Sequence, residues 1–222
     1  MLTVNDFISE GVLPVCRTDS VGHALSLAVY GEARHLPVVD DGRYLVGMVR
    51  LATLLAEPDV SRPIGELPFD APISVQEDAH LYDAVQLLVD RGSDLVPVVS
   101  GDGRYVGSIG VTDVLGPVSK LLGVAEPGSV IEVEMNARDF TLRHLVHSIE
   151  ESGARILSLG TSPTDESVDT VSVLVRVSLD DTSRIRAVLE HFGYRVHRST
   201  GRELPDDELQ HRVAEFMHYL DV

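Results

Sequence analysis

The chain has 222 residues, 44% of them hydrophobic, with 35 acidic against 18 basic side chains and a formal net charge of −17. That length suits one large domain or two modest ones, and the apolar fraction excludes wholesale disorder. Residues 1–122 carry 17 acidic and 8 basic side chains and the remainder 18 and 10, so neither half offers the basic face that nucleic acid or an anionic membrane demands. No run approaches the roughly 18 uninterrupted apolar residues of a membrane span. Residues 1–6 lack the basic and apolar stretches of a signal peptide, and the expected location is the cytoplasm. Lys120 is the only lysine; such an acidic surface suits a salty cytoplasm or simply a soluble protein. Cys16 stands alone, which excludes an intrachain disulfide and predicts a small buried thiol.

In chain order, the first pattern is a repeat. Val15, Val21, Ala24, Leu27, Pro37, Val38 and Val39 recur as Val75, Leu81, Ala84, Leu87, Pro97, Val98 and Val99. Asp41-Gly42-Arg43-Tyr44 recurs as Asp102-Gly103-Arg104-Tyr105, one residue out of step. Each unit reads as strand, helix, strand, turn, strand, helix. In the first, Val21, Ala24, Leu25 and Ala28 make a helical stripe, and Thr18, Asp19 and Ser20 offer N-cap oxygens before it. Pro37 opens a β-branched strand, Asp41-Gly42 turns the chain, residues 44–49 return, and Leu51, Leu54 and Leu55 start a helix. The second unit repeats this through Leu81, Ala84, Val85 and Leu88 to a helix over 111–122, which Gly116-Pro117 is expected to kink or restart.

Pro127-Gly128 reads as a boundary. Beyond it, residues 129–135 alternate as a half-exposed strand. Leu142, Leu145, Val146 and Ile149 form a helical stripe closed by Gly153. A strand over 155–159, a polar loop over 161–169 and a strand over 170–179 follow. Ile185, Val188, Leu189 and Phe192 form a second stripe closed by Gly193, and residues 194–198 a last strand. The order βαββαβ is the ferredoxin-like arrangement. After Gly201, Asp206 is a cap candidate, and Leu209, Val213, Phe216 (or Met217) and Leu220 recur at helical spacing. That amphipathic helix would pack on its own core or on a second chain.

The helix followed by Leu36-Pro37-Val38-Val39-Asp40, a Gly turn and Val46-Gly47-Met48-Val49 resembles a CBS motif, and Val96-Pro97-Val98-Val99 with Val106-Gly107-Ser108-Ile109 resembles a second copy. The resemblance implies a tandem CBS pair, a Bateman-type α/β module, over 1–124, with motif one over about 1–58 and motif two over about 59–122. Such a pair typically binds adenosine-containing ligands in a cleft. The family signature is Gly, two apolar residues, Thr or Ser, two variable residues and Asp, the hydroxyl for phosphate and the carboxylate for the ribose diol. Motif two reads Gly107-Ser108-Ile109-Gly110-Val111-Thr112-Asp113, keeping the acid but not the hydroxyl; motif one has Arg50 and Thr53 there and keeps neither. The implied ligand residues are Asp113 and Thr112, completed by Ala33, Arg34, His35, Asp19 and Ala24 of motif one. Arg34 could neutralise a phosphate. Alternatively, Asp113 merely caps its helix.

Residues 128–200 resemble an ACT domain, an α+β regulatory module that often binds amino acids across paired copies. The first strand–helix loop, residues 136–141, lacks the glycine typical of that family, so the module is expected to pair rather than bind. Residues 201–222 add the C-terminal helix. The domain order is similar to that of bacterial acetoin-utilisation accessory proteins. It implies a non-catalytic regulator, a homodimer or higher closed oligomer, acting on an unknown protein and sensing AMP, ADP, ATP or S-adenosylmethionine, with no required cofactor. The alternative is an adaptor subunit whose nucleotide site has decayed. His144, His147 and Glu151 share a helix face, but with no evident fourth ligand no metal is expected. No catalytic grouping stands out. The 101–107 glycine run joins two strands, whereas a dinucleotide loop must lead into a helix.

Overall fold

In a computed structural model that describes residues 2–9, 11–136, 141–163 and 170–200, the repeat takes the form of two three-stranded sheets of identical register. In the first, β1 (Val15–Cys16) runs parallel to β2 (His35–Val39), which pairs antiparallel with β3 (Leu45–Arg50). Helix α1 (Val21–Tyr30) links β1 to β2, and α2 (Leu51–Ala56) follows β3. In the second, β4 (Val75–Gln76), α3 (Leu81–Arg91), β5 (Leu95–Val99), β6 (Tyr105–Gly110) and α4 (Val111–Leu121) repeat the order. Of the three N-cap candidates before α1, Ser20 is the cap, its hydroxyl accepting His23 N–H at 3.2 Å. His80 takes that place before α3, with Asp83 reaching back to its N–H at 3.1 Å. Val21, Ala24 and Ala28 are buried, as are Leu81, Ala84 and Leu88, so both stripes face their sheets.

The hairpin turns correct the sequence alignment. Arg43 N–H donates to Asp40 O and Gly103 N–H to Ser100 O, at 2.9 and 2.7 Å. The backbone therefore keeps one spacing throughout, and the Asp-Gly-Arg-Tyr string slides along it by one residue. Tyr44 matches Arg104, with which it forms a β-bridge, and Leu45 matches Tyr105. Turn geometry and the buried apolar positions of the strands fix the register, and the Asp-Gly-Arg-Tyr string does not.

Each motif is completed by chain that precedes the other. The turn Val4–Phe7 lies on motif two, where Val4 N–H donates to Ala79 O and the Val4 side chain joins Val75, Leu81 and Val98. The turn Ile64–Glu66 lies on motif one, with Ile64 among Val15, Val21 and Leu54. The flanking segments continue the exchange, Ser9 bridging to Ser108 and Asp70 to Met48.

Contacts divide the chain into two compact units, 1–117 and 118–222, with the division inside α4 rather than at Pro127-Gly128. Helix α4 runs unbroken through Pro117. The residue before this proline is Gly116, which has no Cβ to crowd the pyrrolidine ring. Residues 122–126 belong to the second unit because Arg176 binds the carbonyls of Gly123 (2.9 Å), Val124 (3.5 Å) and Glu126 (2.6 Å).

In that unit β7 (Ser129–Asn136), α5 (Leu142–Glu151), β8 (Ile156–Pro163), β9 (Thr170–Val177), α6 (Ser183–His191) and β10 (Arg195–Ser199) form an antiparallel sheet in the order β10-β7-β9-β8. That is the ferredoxin-like arrangement the βαββαβ order predicts. Ile131, Val133, Met135, Val173, Val175 and Val177 bury one sheet face against Leu145, Ile149, Ile185 and Leu189 of the helices. Two expectations are corrected. Residues 161–163, assigned to a loop, extend the edge strand β8, where solvent removes the need for apolar alternation. Phe192 lies past the end of α6 and is exposed; Tyr194 and Val196 pack on the core instead. Residues 137–140 and 164–169 and the expected helix over 201–222 lie outside the described residues. Among the described residues no helix is long and apolar enough to cross a membrane.

Candidate ligand-binding site

The strand-to-helix junctions of the two motifs are built alike. Strand β3 passes directly into α2, whose first N–H, of Leu51, donates to Arg34 O at 2.7 Å; β6 passes directly into α4, whose first N–H, of Val111, donates to Asp94 O at 3.1 Å. Each helix start is thus tied to the loop before the central strand of its own sheet. The side chains then break the symmetry. Asp94 reaches across to motif one, where Oδ2 accepts Arg34 N–H at 2.7 Å and Oδ1 lies 2.5 Å from His35 Nδ1. His35 and Asp94 are 23% and 28% exposed, a depth at which such a pair is screened less than on an open surface.

Asp113 stands in the first turn of α4, and its Oδ2 accepts Gly110 N–H at 2.7 Å. This is half of a capping box, the third helical residue satisfying the N–H of the residue before the helix. A Cβ on Gly110 would lie 3.3 Å from both Asp113 Oδ2 and Asp94 O, and 3.9 Å from Thr112 Oγ1. The glycine that stands in place of the signature hydroxyl therefore sits where three polar groups converge, with little room for a side chain. Thr112 is exposed and Asp113 half-buried. The Arg34 side chain is exposed and, among the described residues, has no hydrogen-bond or ion-pair partner.

The structure thus gathers Asp113, Thr112, Arg34 and His35 around one connection, Asp94. Ala33 lies beside them but is buried, its N–H bonded to Ala28 O at 2.9 Å. Two implied residues do not join. Ala24 is sealed in the core of motif one and has no surface for a ligand. Asp19 closes its own turn by accepting Cys16 N–H at 2.7 Å; since Cys16 pairs with Val39, it lies at the opposite end of β2 from Arg34. At the motif-one junction, Arg50 forms a two-pronged ion pair with Asp70, at 2.7 and 3.1 Å. Cys16 is only half-buried; burial, more than the neighbouring Asp19, pushes its thiol up. His147 pairs with Glu151 at 3.1 Å, and among the described residues no cluster of three or more His, Cys, Asp or Glu is placed to hold a metal.

Asp94 is the residue that sequence reasoning missed. A signal existed: aligned by the repeat, Arg34 falls on Asp94, opposite charges at equivalent positions beside the expected cleft.

A family model described as CBS domain matches residues 4–59 and 64–120. The chain is 30% identical to the chloroplastic CBS domain-containing protein CBSX2 of Arabidopsis thaliana, over 47% of this chain and 58% of that protein. It is 29% identical to the uncharacterized protein MJ1004 of Methanocaldococcus jannaschii, over 54% and 58%. The chain therefore spans little more than half the length of these relatives. The solved structure of MJ1004 matches with a TM-score of 0.50 at 28% identity, covering 55% of this chain and 61% of that one. CBSX2 in complex with AMP matches at 0.47 and 30% identity, over 53% and 96%. The acetoin utilization protein AcuB of Vibrio cholerae matches at 0.48 and 26%, over 56% and 95%.

Proposed function

The chain belongs to the CBS-domain family, and we propose that it is a non-catalytic regulator whose tandem pair takes up an adenosine-containing ligand (AMP, ADP, ATP or S-adenosylmethionine) at the turn of Asp113. The observation that carries this reading is the linkage of Asp113, Gly110 and Asp94 to Arg34 and His35. It sets a half-buried carboxylate and an exposed guanidinium, from different motifs, on one connected frame. A carboxylate accepts two hydrogen bonds from a vicinal diol, and Gly110 N–H holds one of its oxygens in place. Arg34 supplies a planar donor fork for phosphate, and Thr112 an exposed hydroxyl. Asp19 and Ala24 have no part in this site.

We further propose that the ferredoxin-like unit is an ACT-like module that pairs copies of the chain into a homodimer or higher closed oligomer, the usual outcome for soluble assemblies. The protein it regulates would then read the state of that assembly, in the cytoplasm. Ligand shifts such an equilibrium only through unequal affinity for its two states.

Titration calorimetry with AMP tests the site. Wild-type protein is expected to bind saturably, Asp113→Ala at least about tenfold more weakly, a loss of ~1.4 kcal/mol, and Arg50→Ala unchanged. Binding that ignores Asp113→Ala overturns the site. A second reading, an adaptor with a decayed site, draws on Gly110 standing where the phosphate hydroxyl belongs. Absence of binding by all four ligands, with a stable protein partner recovered instead, would establish it.

A further inference from the structure

The junction where β6 passes into α4 already engages the donors that a phosphate would need. Backbone N–H groups at a strand-to-helix turn bind anions when they point at solvent. Here Gly110 N–H donates to Asp113 Oδ2 at 2.7 Å and Val111 N–H to Asp94 O at 3.1 Å. A carboxylate of the chain itself thus stands where an anion would otherwise sit. A side chain at position 110 is crowded out, since a Cβ there would lie 3.3 Å from both Asp113 Oδ2 and Asp94 O.

What remains for phosphate is Arg34. Its guanidinium is exposed, but its own backbone N–H is held by Asp94 Oδ2 at 2.7 Å, so a negative charge is fixed at the base of the cation. The other oxygen of Asp94 lies 2.5 Å from His35 Nδ1. Arg50, which faces His35 across the β2–β3 pair, has its fork filled by both oxygens of Asp70, at 2.7 and 3.1 Å. The groups gathered at this turn are therefore the Arg34 guanidinium against the carboxylates of Asp94 and Asp113, and a proton on His35 brings their sum only to zero. A terminal phosphate carries about −1.5 to −2 at pH 7, and each phosphoryl group inserted beneath it adds about one more negative charge. A single phosphate is within the reach of a single guanidinium; a di- or triphosphate exceeds it.

We infer that the Asp113 site selects by charge: among phosphorylated adenosine ligands it takes the monophosphate and rejects the di- and triphosphate, and the Asp94 carboxylate sets this selectivity. The selectivity rests on the ligand reading of Asp113's turn and narrows it, making AMP the fitting ligand and ATP the misfit. Asp94 acts through Arg34, as a positioning residue that also fixes a charge. A unit charge about 8 Å from another changes a binding constant about two- to threefold in a watery site, so two further phosphoryl charges amount to about fivefold.

Titration calorimetry of the full chain with AMP, ADP and ATP tests this, in EDTA so that no divalent cation masks the phosphates. Wild type is expected to bind AMP at least about fivefold more tightly than ATP, with ADP between. The gap is expected to shrink by about half or more at ~1 M salt, where the screening length falls to about 3 Å. Asp94→Asn keeps an acceptor for Arg34 N–H and removes the charge; it is expected to narrow the ATP-to-AMP ratio of Kd at least about threefold. Asp94→Glu keeps the charge and is expected to keep the ratio, even where the longer side chain weakens both ligands. Asp102→Asn controls for the overall charge of −17. Asp102 follows β5 where Asp94 precedes it, about 17 Å of strand away, and its variant is expected to leave the ratio unaltered. ATP binding as tightly as AMP in wild type overturns the selectivity. A ratio unchanged in Asp94→Asn, or narrowed as much by Asp102→Asn, overturns the part given to Asp94. If thermal melts show Asp94→Asn unfolded, the wild-type salt series decides, and a gap that persists at ~1 M salt overturns selection by charge. No binding by any of the three nucleotides fails the ligand reading itself, and the selectivity falls with it.

Discussion

Arg34 and Asp94 occupy the same position in the two repeats, and they are bonded to each other: the Asp94 carboxylate accepts the Arg34 backbone N–H at 2.7 Å. The donor is a backbone N–H, which either repeat offers, so the contact depends on the carboxylate of Asp94 alone. Divergence of the repeats at this position sets an exposed guanidinium beside that carboxylate's tie. Hydrogen bonds to a charged acceptor are worth about 1.5–3 kcal/mol when sheltered, and partial exposure lowers that. Asp94→Ala is expected to cost about 1–2 kcal/mol in urea unfolding and to weaken AMP binding, though Asp94 need not touch the ligand. Asp94→Asn keeps an acceptor for Arg34 N–H and should cost less. A variant with unchanged stability would remove the cross-motif tie from the account of the site.

The exchanged segments cross the sheets over glycines. A Cβ on Gly47 would meet the Phe69 ring at 2.3 Å and Asp70 O at 2.7 Å; one on Gly107 would meet Ile8 Cγ2 at 2.2 Å. An isoleucine methyl can turn aside, whereas the Asp70 carbonyl is pinned by its bridge to Met48. Gly47→Ala is thus expected to destabilise by more than the ~1–3 kcal/mol typical of overpacking, and Gly107→Ala by less than Gly47→Ala. Chemical denaturation of the two variants gives the comparison; the reverse order would contradict the bridge.

Much of this fold was legible because both codes were strong. Period-3.6 stripes at Val21, Ala24 and Ala28 and at Leu145 and Ile149, and period-2 alternation in β7, name their own elements. The exchange of Val4 and Ile64 was not legible. A single buried apolar residue in a short turn has no periodicity, and its partner core is chosen by chain connectivity alone. Asp94 escaped for a related reason: it acts through a contact between repeats, while motif matching reads each repeat separately. Pro117 misled because its usual effect depends on the residue before it, and glycine there relaxes the rule.

The repeats also diverge at two strained positions. Glu32 and Arg43 have φ of +49° and +63°, where motif two uses Gly92 at +57° and Gly103 at +86°. A left-handed conformation costs a non-glycine residue roughly 1–2 kcal/mol, partly offset because glycine gives the unfolded chain more freedom. Glu32→Gly and Arg43→Gly are each expected to stabilise by about 0.5–1 kcal/mol, which for a chain of this size raises Tm by about 1–4 °C. Calorimetry on the single and double variants checks this. A lowered Tm would show that the Glu32 or Arg43 side chain contributes more than its backbone costs.

Alkaline pH probes the contact between the N-terminal segment of motif one and the return strand of motif two. The Tyr105 hydroxyl lies 3.2 Å from Val12 O and 2.9 Å from Ser108 Oγ, and burial pushes its ionisation above the ordinary 10.0. Cys16 is likewise raised above 9.0, by burial first and then by Asp19 and Asp41. Both groups are neutral when protonated, so the unfolded chain releases their protons at lower pH than the folded one. Their stabilisation is complete below the unfolded values and is lost as pH rises through the folded ones. The urea midpoint is therefore expected to decline from about pH 9 and more steeply above 10. Cys16→Ser removes the earlier part of the decline. Tyr105→Phe removes the later part, and at neutral pH it costs about 1 kcal/mol for each hydrogen bond lost. A midpoint that stays level to pH 11 would mean that neither side chain is held away from water as this packing requires.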